Sequence, residues 1–400
     1  MTPRPLHIAF VGAVVPDVPE FRTTAFNRAG NHFQVQLISA LREAGCEVSL
    51  VLSQMPRRAA PRSNVFLQRA MRVGVAPGLD ARLVPFVNVP LIRIATVGAG
   101  LLPQLLLWAW RHRSVRRVML VYNLTEPPGA AVLAAARLTG SKAVASVQDI
   151  WLPGESAPDT WRYRADYTLH RALLPRFDAL FVASERTRDD LAPRVPSVCI
   201  EGGVTADQLA VEPKARGHRP FTLVATGTLN YINGIRLILD AFARLCGKTY
   251  RLRLAGEGPM AADVRAAAAV DPRIEYFGYL DRAACLELQA DADVLLNIRL
   301  TESVRTEYFF PSKLIEYLAS GVPAISTLNQ HTRSTWEPFV YPLVDERPEA
   351  LADLIGQVAS LPAEARRDRA VAARRFVARE WSWKRQGEKA AALLHRISDR

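Results

Sequence analysis

The sequence has little cysteine and few aromatic residues. Aromatic side chains make up 8% of its 400 residues, beside 49% hydrophobic and 22% charged residues. That balance excludes a disordered or fibrous chain, and the length predicts two domains. The four cysteines are far apart and form no C-x-x-C pair, which excludes a disulfide scaffold and a zinc ribbon. These cysteines are Cys46, Cys199, Cys246 and Cys285.

Targeting and membrane-spanning segments are also lacking. The first apolar run begins at about Leu6, with only Arg4 as a charge ahead of it, so no secretory signal is expected. A spanning helix needs about 20 uninterrupted apolar residues, whereas the run at residues 94–110 is shorter and contains Pro103. These observations favour a protein of the cytoplasm.

Acidic residues are fewer than basic ones. The chain has 39 Asp and Glu against 51 Lys and Arg, a formal net charge of +12. This excess favours an anionic partner, which can be nucleic acid, phospholipid or a phosphorylated substrate. No RNP, zinc-finger or basic-zipper pattern accompanies the arginine clusters, so a nucleic-acid partner is not predicted.

Apolar β-branched runs alternate with longer Ala/Leu/Arg-rich segments, and the alternation occurs twice. It predicts an α/β protein with two parallel, doubly wound sheets. A long helix is expected at residues 31–44, and the polar stretch at 204–220 is expected to hold the hinge. The predicted strands are residues 6–11, 46–52, 118–122, 143–147, 179–183 and 198–201, then 221–226, 250–255, 274–277, 294–298, 323–326 and 340–343.

Residues 81–117 depart from this alternation. They combine a Pro-broken apolar stretch with a basic end, and this combination is typical of a helix that lies in the headgroup plane of an anionic membrane. An ordinary core helix with a solvated basic end is the alternative. On the membrane interpretation Leu101, Leu105 and Trp108 insert. The arginines that would contact lipid are Arg111, Arg113, Arg116 and Arg117.

The segment at residues 301–320, TESVRTEYFFPSKLIEYLAS, predicts a helix start that carries chemistry. Ser312 and Lys313 stand in the first turn after Pro311, where free N–H groups and the helix dipole favour a phosphate. Glu316, one turn later, can accept hydrogen bonds from vicinal hydroxyls. A nucleoside diphosphate presents both features at this spacing, although a solvated lysine paired with Glu316 is the simpler alternative.

Glycines follow three predicted strands. Gly12, Gly227, and the pair Gly256 and Gly258 let the backbone approach a ligand closely, ahead of helices whose first N–H groups can bind an anion. None forms a complete G-x-G-x-x-G or Walker loop, and helix–strand packing explains each one equally well.

The order of motifs in the second half resembles that of a known family. GTL precedes NGI, then LILDAFARL, LRLAGEGPM, IEYFGYL, ADVLLNI and FPSKLIEYLASGVPAIST follow. The segments GNHFQVQLISALREAG and SVQDIW extend the resemblance more weakly into the first half. The chain resembles retaining family 4-like GT-B glycosyltransferases, above all bacterial exopolysaccharide, capsule and O-antigen enzymes.

The resemblance implies a GT-B fold of two Rossmann-like domains that face each other across a cleft. Residues 1–205 would form the acceptor-binding domain, with the membrane-associated segment near 81–117. Residues 206–380 would bind the nucleotide sugar, and a helix at 381–400 would cross back to the first domain.

The resemblance also implies a donor site, with two departures from the family pattern. The first glutamate of the family's E-x7-E motif falls at Tyr308, with Glu307 one position earlier, and only Glu316 matches cleanly. Thr228 and Asn233 replace the phosphate-binding Arg and Lys of the first loop. The implied donor-binding residues are Gly227, Thr228, Asn233, Gly256, Gly258, Ser312, Lys313 and Glu316.

Catalytic and acceptor residues follow from the same resemblance. Arg299 and Lys313 would neutralise the leaving diphosphate. Gln148 replaces a histidine that is frequent in the family, so Asp149 beside it becomes the candidate for acceptor contact or for stabilising positive charge on the sugar. The acceptor-side candidates are Gly12, Asn31, His32 and Gln148.

The histidines form no H-x-x-x-H or other metal spacing, so no metal or other cofactor is expected, and the nucleoside diphosphate sugar is the substrate. The function predicted is hexose transfer, from a UDP-sugar by preference, to a lipid-linked or polysaccharide acceptor at the inner face of the cell membrane. The alternatives are a nucleotide-sugar 2-epimerase of the same fold and a non-catalytic scaffold at the membrane surface.

Overall fold

A computed structural model describes residues 5–23, 25–123, 127–150, 152–154, 159–214, 220–247, 249–301, 308, 310 and 312–399. The chain divides into two compact units. The first unit comprises Met1–Glu201, Tyr308–Phe310 and Trp383–Arg400, and the second comprises Gly202–Glu307 and Pro311–Ser382. The first division thus falls after Glu201, four residues before the boundary predicted from the sequence.

The first unit is built on an eight-stranded sheet in the order β10-β9-β8-β7-β1-β2-β5-β4, with β3 and β6 as a separate antiparallel pair. All neighbours in the large sheet are parallel except β4 and β5. Its strands are β1 (Leu6–Gly12), β2 (Glu47–Ser53), β3 (Leu67–Gln68), β4 (Met71–Ala76), β5 (Leu79–Leu83), β6 (Phe86–Val87), β7 (Arg116–Tyr122), β8 (Lys142–Val147), β9 (Ala179–Val182) and β10 (Ser197–Cys199).

Helices cover this sheet. They are α1 (Arg28–Glu43), α2 (Ile92–Arg111), α3 (Pro128–Thr139), α4 (Trp161–Leu173), α5 (Glu185–Leu191) and, from the end of the chain, α14 (Trp383–Ser398). Asn27 caps α1 by accepting a hydrogen bond from the Gly30 N–H. In α14, Gly387 lies against the Ala40 carbonyl of α1, where a Cβ atom would clash. Only glycine therefore lets these two helices pack so closely.

The second unit has a six-stranded parallel sheet in the order β13-β12-β11-β14-β15-β16. This is the 3-2-1-4-5-6 order of the Rossmann fold. The strands are β11 (Phe221–Thr226), β12 (Tyr250–Ala255), β13 (Ile274–Tyr276), β14 (Val294–Asn297), β15 (Ala324–Thr327) and β16 (Tyr341–Leu343). The helices are α6 (Ala206–Ala210), α7 (Ile235–Phe242), α8 (Ala261–Val270), α9 (Arg282–Ala290), α10 (Ser312–Ala319), α11 (Gln330–Trp336), α12 (Pro348–Ser360) and α13 (Ala363–Glu380).

All of the predicted strands are confirmed, with ends that differ by at most two residues. The reason is visible in the two cores, where strands such as β7, β9 and β14 are buried on both faces and read as continuous apolar runs. The predicted hinge stretch is not wholly irregular, because it contains α6. Thr205 and Gln208 form a capping box at the N-terminus of this helix.

The interpretation of residues 81–117 needs correction. Leu101, Leu105 and Trp108, which were expected to insert into lipid, are buried in the core of the first unit. Arg117 donates hydrogen bonds to the Ala109 and Thr139 carbonyls, and Arg116 pairs with Asp399. These two arginines therefore stabilise the unit itself.

Helix α2 runs through Pro103 without a break, although this proline was expected to interrupt it. Among the described residues, α2 is the helix that is long and apolar enough, by length and composition, to cross a membrane. However, Val97, Leu101 and Leu105 of this helix are buried in the unit's core. Insertion across a bilayer would therefore require α2 to leave that core.

Candidate functional site

The sheet of the second unit reverses its strand order between β11 and β14. In open α/β sheets ligands bind outside the carboxyl ends of the strands at such a switch point. Gly227 directly follows β11 there, and Gln289 of α9 donates a hydrogen bond to the Thr226 hydroxyl (3.0 Å). A Cβ atom on Gly227 would lie 3.5 Å from Lys313 Cε, which places α10 at the same edge. The predicted helix start therefore lies beside the switch point.

A charged cluster is built at this edge. The Lys313 Nζ atom lies 2.7 Å from Glu316 Oε1, and Gln289 Nε2 donates to that same oxygen at 2.6 Å. The Glu316 side chain is 16% exposed and that of Lys313 is 36% exposed. Gln289 is fully buried. The ion pair that the sequence left as an alternative is therefore present, and a buried amide orients its carboxylate.

Burial and charge oppose each other in this cluster. Desolvation favours the neutral form of both groups. It is outweighed at Lys313 by the Glu316 carboxylate, which raises the pKa of the ammonium, and at Glu316 by the Lys313 ammonium with the Gln289 amide, which lowers the pKa of the carboxyl. Both side chains are therefore charged at neutral pH.

The backbone beside the cluster is fixed by a tyrosine. Tyr317 is buried, and its hydroxyl accepts a hydrogen bond from the Thr226 N–H (2.8 Å). Burial raises the pKa of this phenol. The end of β11 is thus held at a defined position relative to α10.

The predicted glycines serve close packing of two loops. Gly256 and Gly258 have φ values of +138° and +156°, and Cβ atoms there would clash with the backbone of Gly227 and Leu229. Glycine is required at both positions for the loops after β11 and β12 to touch. Their direct contact with a donor stays a prediction.

The other predicted donor residues lie on the same unit. The Asn233 amide donates to the Thr228 carbonyl (2.8 Å), so these two residues shape one loop. Ser312 is the exposed first residue of α10. Arg299 follows β14, and the Thr327 hydroxyl fixes both its N–H (2.8 Å) and its carbonyl (2.6 Å). Arg299 is therefore held at the carboxyl edge of the sheet.

Tyr308 belongs to the first unit, whereas the charged cluster belongs to the second. Tyr308 is buried in the first unit and donates to Asp190 Oδ2 (2.6 Å). Burial, together with this carboxylate, raises its pKa. Tyr308 thus has a structural partner of its own, whereas Glu307 and Pro311 lie outside the described residues.

Asp291 and Asp293 form a D-x-D triplet, and carboxylates can bind a metal even where the histidines have no metal-binding spacing. Asp291 pairs with Arg253 (2.5 Å), and Asp293 accepts from the Thr222 N–H (2.8 Å). Both carboxylates precede β14, at the edge opposite the cluster. Within the described residues, no three His, Cys, Asp or Glu side chains gather as a metal site would require.

The first unit has its own switch point, between β1 and β7. Asn123, directly after β7, has φ = +39°, a conformation that asparagine adopts more readily than most residues. Its side-chain oxygen accepts from the Gln148 N–H (2.8 Å), and its amide nitrogen donates to Asp149 Oδ2 (3.2 Å). Asn123 therefore orients the two polar residues that follow β8.

The remaining acceptor-side candidates lie near β1. The Asn31 side chain is buried and forms hydrogen bonds with the backbone N–H (2.9 Å) and carbonyl (3.0 Å) of Val15. A Cβ atom on Gly12 would clash with Gln34, which accepts from the Ala13 N–H. Asn31 and Gly12 thus shape the loop after β1, while His32 is half-buried on α1.

The sequence prediction missed Gln289 and Asn123. Each is a polar residue next to an apolar run, at a helix end (LELQA) and a strand end (VMLVYN). A polar residue at the end of an apolar element is the feature of the sequence that could have indicated these two residues. It is weak, because most polar residues at such ends are solvated.

Two family models match the sequence, and together they span most of it. Residues 30–197 match the model described as "Glycosyl transferase 4-like domain", and residues 220–360 match "Glycosyl transferases group 1". A Mycobacterium tuberculosis protein described as GDP-mannose-dependent alpha-(1-6)-phosphatidylinositol dimannoside mannosyltransferase is 33% identical over 148 residues. That match covers 36% of this chain and 37% of the relative's length.

Solved structures agree with the whole fold. Sucrose-phosphate synthase from Thermosynechococcus elongatus has a TM-score of 0.70 at 15% identity, over 98% of this chain and 99% of the other. Anabaena HepE in complex with UDP has a TM-score of 0.62 at 12% identity, over 98% and 100%. Trehalose 6-phosphate synthase from Burkholderia multivorans also reaches 0.62, at 13% identity, over 100% and 99%. The chain has the GT-B fold and belongs to the group 1 glycosyltransferases of family 4.

Proposed function

We propose that the protein is a retaining glycosyltransferase that moves a hexose from a nucleoside diphosphate sugar to a lipid-linked or polysaccharide acceptor in bacterial surface polysaccharide synthesis. The observation that carries the proposal is the cluster of Lys313, Glu316 and Gln289 at the switch point of the second unit. Retention of the anomeric configuration is inferred from the family.

Lys313 and Glu316 have unused capacity for a donor. An ammonium has three N–H donors, and Glu316 takes one of them, so the others can meet phosphate oxygens. The bonds from Lys313 and Gln289 both go to Oε1 of Glu316, which leaves Oε2 for the ribose hydroxyls. Arg299 and the first N–H groups of α10 add positive potential for the departing diphosphate.

Asp149 is the residue that we assign to the reacting sugar. As the C1–oxygen bond to the diphosphate breaks, positive charge develops on the sugar ring, and a carboxylate oriented by Asn123 stabilises such charge. Contact with the acceptor hydroxyl is the alternative role. Gln148 and His32 are further acceptor-side candidates.

The identity of the nucleotide is the next part of the proposal. We favour a UDP-sugar, since UDP is bound in the Anabaena HepE structure of the same fold. GDP-mannose is the second donor to test, because the name of the mycobacterial relative includes it. That name also includes phosphatidylinositol dimannoside, which supports a lipid-linked acceptor and a peripheral position at the inner face of the membrane.

Release of nucleoside diphosphate tests the proposal. UDP- and GDP-sugars are supplied one at a time, with and without bacterial lipid extract, and free UDP or GDP and labelled glycolipid are measured. Transfer requires both products in equal amounts. Nucleotide release together with a 2-epimerised free sugar would indicate the epimerase, and binding of every donor without release would indicate a scaffold.

We also propose that transfer requires no metal, since Lys313 and Arg299 supply the positive charge. Treatment with EDTA should leave the rate of nucleotide release unchanged within experimental error. A loss that Mg²⁺ or Mn²⁺ restores would contradict this assignment.

A further inference from the structure

One stretch of the first unit accounts for most of the protein's net positive charge. Between Glu47 and Glu126 the sequence has eleven arginines, no lysine and a single acidic residue, Asp80. The whole chain has a net charge of +12, so this stretch accounts for nearly all of it. Asp80 pairs with Arg72 (2.8 Å). Arg116 pairs with Asp399, and the other nine arginines create a strongly positive region of the first unit.

The same stretch exposes large apolar side chains. Soluble proteins expose single apolar residues routinely, whereas a group of them marks an interaction site. Trp110 is 62% exposed and Phe66 is 60% exposed, which are large fractions for these residue types. The exposed apolar side chains are Phe66, Leu67, Met71, Leu91, Ile92, Ile94, Leu107 and Trp110.

Hydrogen bonds hold the segment around Phe66 and the loop after β2 near the start of α2. The Asn88 N–H donates to the Phe66 carbonyl (2.7 Å), and β3 pairs with β6, which lies just before α2. Arg93 of α2 donates to the Arg57 carbonyl (2.6 Å) and so fixes the loop after β2 against the helix. The loop therefore lies beside the start of α2.

The β4–β5 hairpin joins the same surface farther along the helix. An open cavity of about 300 Å³ is lined by the hairpin and by Gln104 of α2. Its lining residues are Ala70, Met71, Arg72, Arg82, Leu83 and Gln104. The exposed Met71 of the hairpin therefore lies at the same cavity as Gln104 of α2, one turn before Leu107.

Helix α2 presents two different faces. Leu101 and Leu105 lie in the core of the unit. Ile92, Leu107 and Trp110 are exposed, and their spacing puts them together on the opposite side of the helix. Arg113 stacks on Trp110 (5.1 Å), next to the exposed Arg111. An apolar stripe that ends in tryptophan and arginine has the composition of a helix lying at a membrane interface.

We propose that this surface docks the protein on a bilayer of anionic phospholipid. The docking surface consists of Phe66, Leu67, Met71, Ile92, Leu107 and Trp110, with the exposed arginines Arg62, Arg69, Arg111 and Arg113. Its apolar side chains enter the boundary between headgroups and acyl chains, and its arginines meet lipid phosphates. The inference rests on the peripheral membrane association in the proposed function, and it assigns that contact to a surface that includes residues 57–72.

Flotation with phospholipid vesicles tests the arginines. The full chain is mixed, without sugar donor or acceptor, with vesicles of phosphatidylcholine alone or with one quarter phosphatidylglycerol. The variant Arg69→Gln/Arg111→Gln/Arg113→Gln should bind the anionic vesicles more weakly by about five-fold for each arginine removed. The control Arg265→Gln/Arg367→Gln/Arg375→Gln removes the same charge from exposed positions of the second unit and should bind normally.

A second variant tests the apolar side chains. Leu107→Ser/Trp110→Ser should weaken binding at least about ten-fold, because insertion of each side chain buries apolar surface. Val270→Ser, at an exposed position of the second unit, is its control. Equal binding to neutral and anionic vesicles, or variants that bind like the unchanged protein, would overturn the proposal. Binding to native membranes but not to protein-free vesicles would assign the surface to a protein partner.

Nucleotide release measured on the same samples separates the two proposals. Release without vesicle binding would refute the docking surface alone. Vesicle binding without release from any donor would refute the proposed function alone. Thermal melts of each variant identify those that fail to fold, and the two independent variants keep the test decisive if one of them does.

Discussion

Each unit has polar residues at the carboxyl edge of its own sheet, and the two edges differ in charge. In the second unit, an ion pair and a buried amide meet beside the switch point. Lys313 and Gln289 both donate to the same carboxylate oxygen of Glu316. In the first unit, the switch point has the Asp149 carboxylate, which the Asn123 amide orients. The described contacts thus differ: the cluster of the second unit pairs opposite charges, whereas a neutral amide contacts the carboxylate in the first unit.

This difference suits two different ligands. A diphosphate needs positive charge that is held in place. The ion pair with Glu316 already holds the Lys313 ammonium, so binding requires little reorganisation. A sugar or acceptor hydroxyl needs polar groups and at most one charge. If this comparison is correct, changes at the first edge should affect turnover and leave donor affinity unchanged, whereas changes at the second should also affect donor affinity and pH-dependent stability.

The largest effect is expected from Asp149→Asn. Loss of a carboxylate that stabilises charge in the transition state should lower kcat about 100- to 1,000-fold while the donor Kd is unchanged. Steady-state kinetics and calorimetric titration with nucleoside diphosphate measure the two quantities. Glu43→Gln, at an exposed carboxylate of the same unit, is the matched control. A kcat within two-fold of the original would remove Asp149 from the reaction.

Glu316→Ala should weaken donor binding by about 1.5–3 kcal/mol, the cost of losing a charged hydrogen-bond acceptor. Glu307→Ala should have a much smaller effect, because Glu307 stands one position off the family motif, whereas Glu316 matches it. Calorimetric titration with UDP and with GDP compares the two variants. Equal losses would contradict the assignment of the ribose to Glu316.

Lys313→Met should change the pH dependence of stability. The lowered pKa of Glu316 stabilises the fold above its unfolded value of about 4.3, and this contribution is lost as pH falls through the folded pKa. Without the ammonium, burial raises the pKa of Glu316, so acid unfolding should begin at a higher pH. At neutral pH we expect a loss of about 1–3 kcal/mol, less than for a fully buried pair because Lys313 is partly exposed.

Thermal melts from acidic to alkaline pH measure this shift. The raised pKa of Lys313 stabilises the fold below its unfolded value of about 10.4, and this contribution is lost as pH rises through the folded pKa. The alkaline loss should therefore be absent from the variant. Lys384→Met, an exposed lysine of α14, serves as the control. Identical acid limbs in all three proteins would show that the ion pair contributes no stability.

Much of the fold could be predicted from the sequence, because buried parallel strands are continuous apolar runs. The β4–β5 hairpin was missed, since MRVGVA and LDARL alternate only briefly around a turn at Gly78. Helix α2 was misjudged because Pro103 suggested a break, although this residue lies on the helix's exposed side. Which face of a helix meets the core depends on its neighbours in the fold.

The candidate site was predictable where charge and position combine, as at Lys313 and Glu316. Gln289 could not be predicted, because its role depends on α9 and α10 being brought together across a switch point. The same holds for Asn123, whose partners Gln148 and Asp149 follow a different strand. Contacts that join elements distant in sequence leave no spacing to detect.

The smallest effect is expected at Asn123, where two variants separate backbone from side chain. Both Asn123→Gly and Asn123→Ala remove the hydrogen bonds to Gln148 and Asp149, so kcat should fall about ten-fold, equivalent to about 1–1.5 kcal/mol. Only alanine is strained at φ = +39°, so Asn123→Ala should be about 1 kcal/mol less stable than Asn123→Gly. Kinetics and thermal melts measure both differences. Full turnover in Asn123→Gly would mean that the backbone conformation alone is required and that Asp149 needs no amide to orient it.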